Sequence, residues 1–395
     1  MKSFIYILLT SLTFLVVGCQ NESEEIRLIN QAERLFDAYP DSVITTLDSI
    51  PLPEEMNPRL IARWCMLYAR AADKIEDEMP YTNQLEIALK YYQKKKMREE
   101  EAEIGLYLGR SYVEDKEYEK AMRAYSDALE VALAIKDYNR AGYICSYMAD
   151  LYEVDERFML SAKRYQESGG YFRLANNIKS YIRAFVNEGN IYMIADSSHL
   201  ALTPLKQAEA IMDSLSMNEV KEYVYNGLAN TYSALENYDL AEYYVLQCIE
   251  IDSENVASYY LLLVDIEEKR GNLDKAEYYL HKVRNISTHN RFIPASIAYY
   301  SYMIKRGQGD LQSALNDYEK YVEVEDSLIN VSKSVDIYDA EQKYERLKLH
   351  NENIELVLKN QKSYLFILLL LFAIALLVIF LSLIHISEPT RHSLI

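Results

Sequence analysis

Apolar residues return every third or fourth position through most of this chain, the period of a helix with one buried face. A longer period is laid over it. Tyr112, Tyr152, Tyr192 and Tyr232 fall 40 residues apart, as do the small residues three before each, Gly109, Ala149, Gly189 and Ala229. A small residue and a tyrosine three later share one helix face. The small residue predicts close approach of a neighbouring helix, and the ring fills the space beside it. A second helix in each unit carries its own spacing. Ala121, Tyr125 and Ala128 stand at i, i+4 and i+7, matched by Ala241, Val245 and Cys248, by Ala276, Leu280 and Val283, and by Ala314, Tyr318 and Tyr321. Between the helices lie turns such as Lys116-Glu117-Tyr118, Glu236-Asn237-Tyr238, Gly271-Asn272-Leu273 and Gly309-Asp310-Leu311. Gly271 and Gly309 suit the turn position that needs positive φ.

Paired helices with small and aromatic residues in these slots resemble the tetratricopeptide repeat (TPR). That family's unit is about 34 residues; several here run to 40, so helices or turns are lengthened. Six units fit between about Glu101 and Asn330, in an array set at 99–330. Some slots depart from the pattern: Glu188 stands in an apolar one, Leu205 in an aromatic one, and Ser161 and Ser168 weaken the second helix of their unit. The resemblance implies an all-α fold, a right-handed superhelical solenoid of antiparallel helix pairs. Residues 27–98 read as degenerate helical repeats capping the array: a helix, a break at Pro40, a second helix with Asp41 as N-cap, then two amphipathic helices with Trp64 in the core.

The two ends carry membrane signals. Residues 1–18 read as an export signal, an apolar run after Lys2 too short to span a bilayer comfortably. Its end, Val16-Val17-Gly18-Cys19, resembles the bacterial lipoprotein box, which implies lipidation of Cys19; a plain uncleaved anchor is the other reading. Residues 19–26 form a polar tether. Residues 364–380 are unbroken apolar and predict a transmembrane helix. Between array and span, in 331–363, Ile337, Ala340, Tyr344, Leu347, Asn351, Ile354, Leu358 and Gln361 alternate by three and four. That is a stalk helix with a heptad seam, and Asn351 falls at an a position, where a buried Asn fixes register and favours two strands. A homodimer through the stalk follows; a solitary helix laid on the last repeat fits the same period. Residues 381–391, LSLIHISEPTR, resemble a translated transposase-type sequencing adapter, and 381–395 are assigned to it. The natural chain is therefore expected to continue past Phe380, and His385, Glu388 and Arg391 carry no functional reading.

Composition narrows the function. Only 11 glycines and 8 prolines in 395 residues favour long helices joined by short turns. A net charge of −18 argues against nucleic acid or anionic lipid as ligand of the soluble part. Cys65, Cys145 and Cys248 lie far apart with no CxxC and read as small core residues. His199, His281, His289 and His350 have no metal-ligand spacing, and no phosphate loop or nucleophile motif occurs, so neither an enzyme nor a cofactor or metal site is expected. Carboxylate pairs such as Glu99 and Glu101 read as solvated helix faces.

Function then falls to the groove. In the resembled family the groove residues sit on the first helix of each unit, one position after the small residue. That slot or its equivalent holds Arg110, Asp150, Asn190, Asn230, Asp265 and Met303, with Asn226 one turn before Asn230. Asn in these slots resembles the peptide-clamping members, with a protein or peptide as partner; the lysines usual there are absent. The layout of signal, array, stalk and span resembles bacterial sensors that carry a DNA-binding or kinase module after the span. The leading expectation is the extracytoplasmic sensor part of a signalling or transcription-regulating protein, in the inner membrane with the repeats in the periplasm. The alternative is an envelope lipoprotein adaptor that scaffolds protein complexes.

Overall fold

The computed structural model describes residues 24–51, 53–286, 290–329, 359 and 362–379. They fall in two units, Met1–Ser332 and Lys333–Ile395. The export signal, Cys19, the heptad stretch with Asn351 and residues 381–395 lie outside the described residues. The described residues contain helices and no strand.

In the first unit, sixteen helices follow one another as antiparallel hairpins among the described residues. Four precede the array: α1 (Glu24–Leu35), α2 (Pro40–Asp48), α3 (Pro58–Ile75) and α4 (Thr82–Lys95). The next six are α5 (Arg98–Glu114), α6 (Tyr118–Ala134), α7 (Tyr138–Val154), α8 (Phe158–Leu174), α9 (Ile178–Ile194) and α10 (Ser198–Ser214). Then come α11 (Lys221–Ala234), α12 (Tyr238–Ile251), α13 (Val256–Arg270), α14 (Leu273–Arg284), α15 (Ile293–Gln308) and α16 (311–329). Each helix packs chiefly on its sequence neighbours, as a solenoid requires. The second unit contains α17 (Lys362–Ile379), whose mean hydropathy is 2.6 and whose side chains face away from protein. Its 18 residues, apolar from Tyr364 to Ile379, make it long enough to cross a membrane.

One detail at the N-terminal end differs from the sequence reading. Asp41 is not an N-cap: Tyr39 takes that position without a side-chain bond, and Pro40 begins the helix. Proline at the first helical position loses nothing, because its missing N–H would have had no partner there. Trp64 is buried, with Nε1 donating to the Leu47 carbonyl at 3.1 Å.

The turns explain the 40-residue period. Helices α5 to α10 are each 17 residues long, and three-residue turns separate them, so two helices and two turns make 40. A left-handed residue recurs every 20 positions: Glu76, Lys96, Lys116, Lys136, Glu156, Asn176, Asp196, Ser216 and Glu236, all with φ between 52° and 61°. From Lys96 on, each closes its helix in the same way. At Lys116 the N–H donates to the Val113 carbonyl (2.9 Å), and the Glu117 N–H donates to that of Tyr112 (2.8 Å). This pair of bonds satisfies carbonyls the helix leaves open. The periodic tyrosines Tyr112, Tyr152, Tyr192 and Tyr232 all accept that second bond, from Glu117, Arg157, Ser197 and Asn237. Three residues that follow a left-handed position, Asp137, Asn177 and Asn237, also cap the next helix with their side chains.

Packing follows the small–large slots. A Cβ on Gly109 would run into the Tyr125 ring, and one on Gly189 would come within 2.8 Å of Leu205. Tyr125 and Leu205 are fully buried at equivalent places. The buried side chains group into clusters along the chain, with Phe172 and Ala184 buried between them. One large cluster runs from Ile29 to Leu151 and a second from Ile182 to Ile304. Between them Ala149, Ala162, Tyr165 and Ile191 form a small cluster of their own.

Candidate protein-binding face

The first helices of the units, α5, α7, α9, α11, α13 and α15, present the residues that the sequence places in the groove. Most of these polar side chains are engaged with a neighbouring helix. Arg110 of α5 pairs with Asp73 of α3, and its guanidinium lies 5.5 Å from the ring centre of Tyr147 on α7. Asp150 of α7 accepts the Tyr165 hydroxyl of α8. Burial pushes its carboxyl above the usual range despite that hydrogen bond. Asp265 of α13 accepts from Lys269 at 2.7 Å and from the Tyr300 hydroxyl of α15 at 3.4 Å. Met303 is half-buried on α15.

A second set of contacts, not singled out from the sequence, laces the same face together. Arg70 grips Glu103 through two bonds of 2.6 and 2.7 Å, and Arg140 of the next unit adds a third at 3.1 Å. Burial resists ionisation of Glu103, but Arg70 and Arg140 outweigh it and hold the carboxyl below its ordinary value. Beside this cluster a cleft of about 360 Å³ is lined by Asp73, Glu103, Tyr107, Arg140, Tyr143 and Tyr147. Glu101, expected on a solvated face, is buried and paired with Arg98 at 2.9 Å, because α5 turns that position toward the crevice against α4 and α6.

Over α9 and α11 the face changes character. The Asn190 side chain forms no hydrogen bond among the described residues. Asn230 is exposed and donates to the Asn226 side-chain carbonyl (3.0 Å) and backbone carbonyl (2.9 Å), so both amides keep bonding capacity. Arg183 lies 6.0 Å from the centre of the Tyr223 ring and has no ion pair among the described residues. The Tyr223 hydroxyl donates to Asn187. Residues 183, 187 and 190 on α9, with 223, 226 and 230 on α11, follow a three-and-four spacing that puts each trio on one helix face. Looking only one position past the small residue finds one side chain per helix; extending the same face by a turn in the sequence would have found Arg183, Asn187 and Tyr223.

No family model matches the sequence, and no curated protein matches it. Solved structures do. The chain is similar to the apo form of RapI, at 15% identity and a TM-score of 0.54, covering 83% of this chain and 94% of that one. The fold is a TPR-type solenoid. Weaker likenesses are a Rap protein complexed with competence and sporulation factor (16% identity, TM-score 0.46, 84% of this chain and 98% of that one) and a signal transduction ATPase with a tetratricopeptide repeat sensor from Pyrococcus horikoshii (16%, 0.48, 82% and 53%). At these identities the likeness speaks for the fold alone.

Proposed function

We propose that this chain is a membrane-anchored TPR scaffold, not an enzyme, that binds an extended protein or peptide segment on the α9–α11 face. We take it further as the extracytoplasmic sensor part of a signalling or transcription-regulating protein. The observation that supports binding is the contrast along the face: Arg110, Asp150 and Asp265 are tied to neighbouring helices, whereas Asn190, Asn226 and Asn230 are not. Amide side chains both donate and accept, which matches the alternating N–H and C=O groups of an extended backbone. Arg183 adds a planar cation suited to a carboxylate. A strand-like ligand laid across α9 and α11 gains hydrogen bonds there without breaking any of the contacts that hold the units together. The membrane part of the reading is supported by α17, which has the length and hydropathy of a span.

The test uses the full chain in lipid nanodiscs against an immobilised library of short unstructured peptides. Wild type should retain a subset. The double variant Asn190→Ala, Asn230→Ala should bind that subset at least about tenfold more weakly, the scale of one or two lost hydrogen bonds in a desolvated contact. Its thermal midpoint should stay unchanged. Retention that is indifferent to both substitutions would place binding elsewhere and overturn the reading.

A further inference from the structure

The stretch between the two large clusters carries a set of polar substitutions in slots that are apolar in the other units. The slot of Ala121, Ala201 and Ala241 holds Ser161 in α8; that of Ala128, Ala208 and Cys248 holds Ser168. The slot of Leu108, Met148 and Leu228 holds Glu188 in α9. All three polar residues are buried. Ser168 is satisfied by Ser146 (2.8 Å) and the Gly142 carbonyl (2.9 Å). The Ser161 hydroxyl has no partner. Glu188 is 6% exposed and has neither hydrogen bond nor ion pair among the described residues.

An ionised carboxylate in that position is costly, because nothing replaces the water it leaves. The charged groups around it are engaged elsewhere or exposed. On α8, Arg164 pairs with Glu167, Tyr165 donates to Asp150, Tyr171 stacks on Tyr138, and Lys163 and Arg173 are exposed. On α10, Lys206 pairs with Glu209, and His199 and Asp213 are exposed. On α11, Glu222 accepts the Tyr259 hydroxyl, Tyr223 donates to Asn187, and Lys221 lies over Tyr225. In the short turn before α11, Glu219 pairs with Lys179. On its own helix Arg183 lies over Tyr223, and Tyr181 stands beside Phe185. Tyr192, one turn on, is the group whose titration senses the Glu188 charge.

We propose that α8 and α9 form a pH-sensitive joint in the solenoid, closed while Glu188 is neutral and loosened when it ionises. When it is charged, the stable arrangement is one in which α9 parts from α8 or α10 far enough for more water to surround the carboxylate. Burial alone holds its pKa up to about 7, from 4.5 when solvated, so the change falls near neutrality. Asn190 is two residues along the same helix, so the joint also moves the face described above; that consequence rests on the proposed function, and the joint itself does not.

Hydrogen exchange of the full chain in nanodiscs tests the joint without any ligand. After correction for intrinsic exchange, the opening constant of α8–α10 amides should rise on the order of 50-fold between about pH 5 and about pH 8, as proton linkage requires for that shift. Glu188→Gln should flatten the profile. So should Glu188→Leu, which restores the residue found at Leu108 and Leu228. A flat wild-type profile would overturn the proposal. So would an equal rise in either variant, or a rise of the same size in α5–α6 and α13–α14. If neither variant folds, the slot requires a carboxylate for structure and the proposal also falls.

Discussion

Lys116 and Glu236, six turns apart along the solenoid, hold nearly the same left-handed backbone, φ 60° and 58°. Neither is a residue that adopts it freely. For an L-residue with a Cβ this conformation costs about 1–2 kcal/mol, and glycine escapes most of that. Gly271 and Gly309 occupy the corresponding position in the last two hairpins of the described array, α13–α14 and α15–α16, both at φ 83°. Lys116→Gly and Glu236→Gly should therefore each stabilise the protein by about 0.5–1 kcal/mol after the greater freedom of the unfolded glycine chain is subtracted. Gly271→Ala should destabilise it by a similar amount. Urea unfolding of the three variants reads the sign directly; destabilisation by either glycine would mean that the Lys or Glu side chain contributes more than the backbone costs.

This same position shows what the sequence discloses and what it hides. The 40-residue repeat of Tyr112, Tyr152, Tyr192 and Tyr232 is visible as letters, and so are the small–large pairs that pack the hairpins. The 20-residue repeat of left-handed turns is not, because Lys, Glu, Asn, Asp and Ser fill it with no shared chemistry beyond polarity. The groove is legible to the same degree. One position per helix can be counted from the small residue, which reaches Arg110 and Asn190 alike. Whether a side chain is spent on a neighbour depends on residues in another unit, such as Asp73 for Arg110, and no local pattern records that. The anomaly at Glu188 is visible in the sequence as a charged residue in an apolar slot, but its lack of a partner is a fact of three dimensions.

Gly109 and Tyr125 set the distance between α5 and α6. Gly109→Ala puts a methyl into the ring, which is held on all sides at 1% exposure, and should cost about 1–3 kcal/mol. Tyr125→Ala removes the ring and leaves a cavity, at about 3–5 kcal/mol. The double variant should be less destabilised than the sum of the two, because the new methyl then enters the vacated space. Thermal unfolding of the four proteins gives the coupling; strict additivity would show that the two residues do not meet.

Glu103 predicts an acid limb. Its carboxyl is held below its ordinary value, so the stabilisation from Arg70 and Arg140 is present above about pH 4.5 and is lost as the pH falls through the depressed folded value. Glu103→Gln should reduce stability at about pH 7 by roughly 1–3 kcal/mol, the cost of leaving charged donors with a weaker acceptor. The gap between variant and wild type should narrow on acidification. A constant difference across pH would mean that shape, not charge, is what the variant disturbs.

The membrane reading makes a topological prediction. With residues 20–363 outside the cytoplasm, a reporter active only in the periplasm and fused after Asn330 should be active. Metabolic labelling with a lipid analogue should tag wild type and not Cys19→Ser. A silent periplasmic reporter beside an active cytoplasmic one reverses the orientation, and labelling that survives Cys19→Ser removes the lipoprotein assignment.

Arg110 and Asn190 occupy equivalent slots, and their variants should separate structure from recognition. Arg110→Ala removes the partner of Asp73 and the cation over Tyr147, so it should lower stability by about 1–2 kcal/mol, more than an exposed ion pair alone would give, because the arginine stem also packs. Asn190→Ala breaks no bond within the described residues and should change stability by less than about 0.5 kcal/mol. The order should reverse for binding to the retained peptides: Asn190→Ala weakens it, while Arg110→Ala leaves it near wild type at temperatures where the variant is folded. Thermal unfolding and fluorescence polarisation on the same samples give both readings. If Arg110→Ala alone abolishes binding with the fold intact, the ligand displaces Asp73 from Arg110, and the recognition face extends back to α5 instead of centring on α9 and α11.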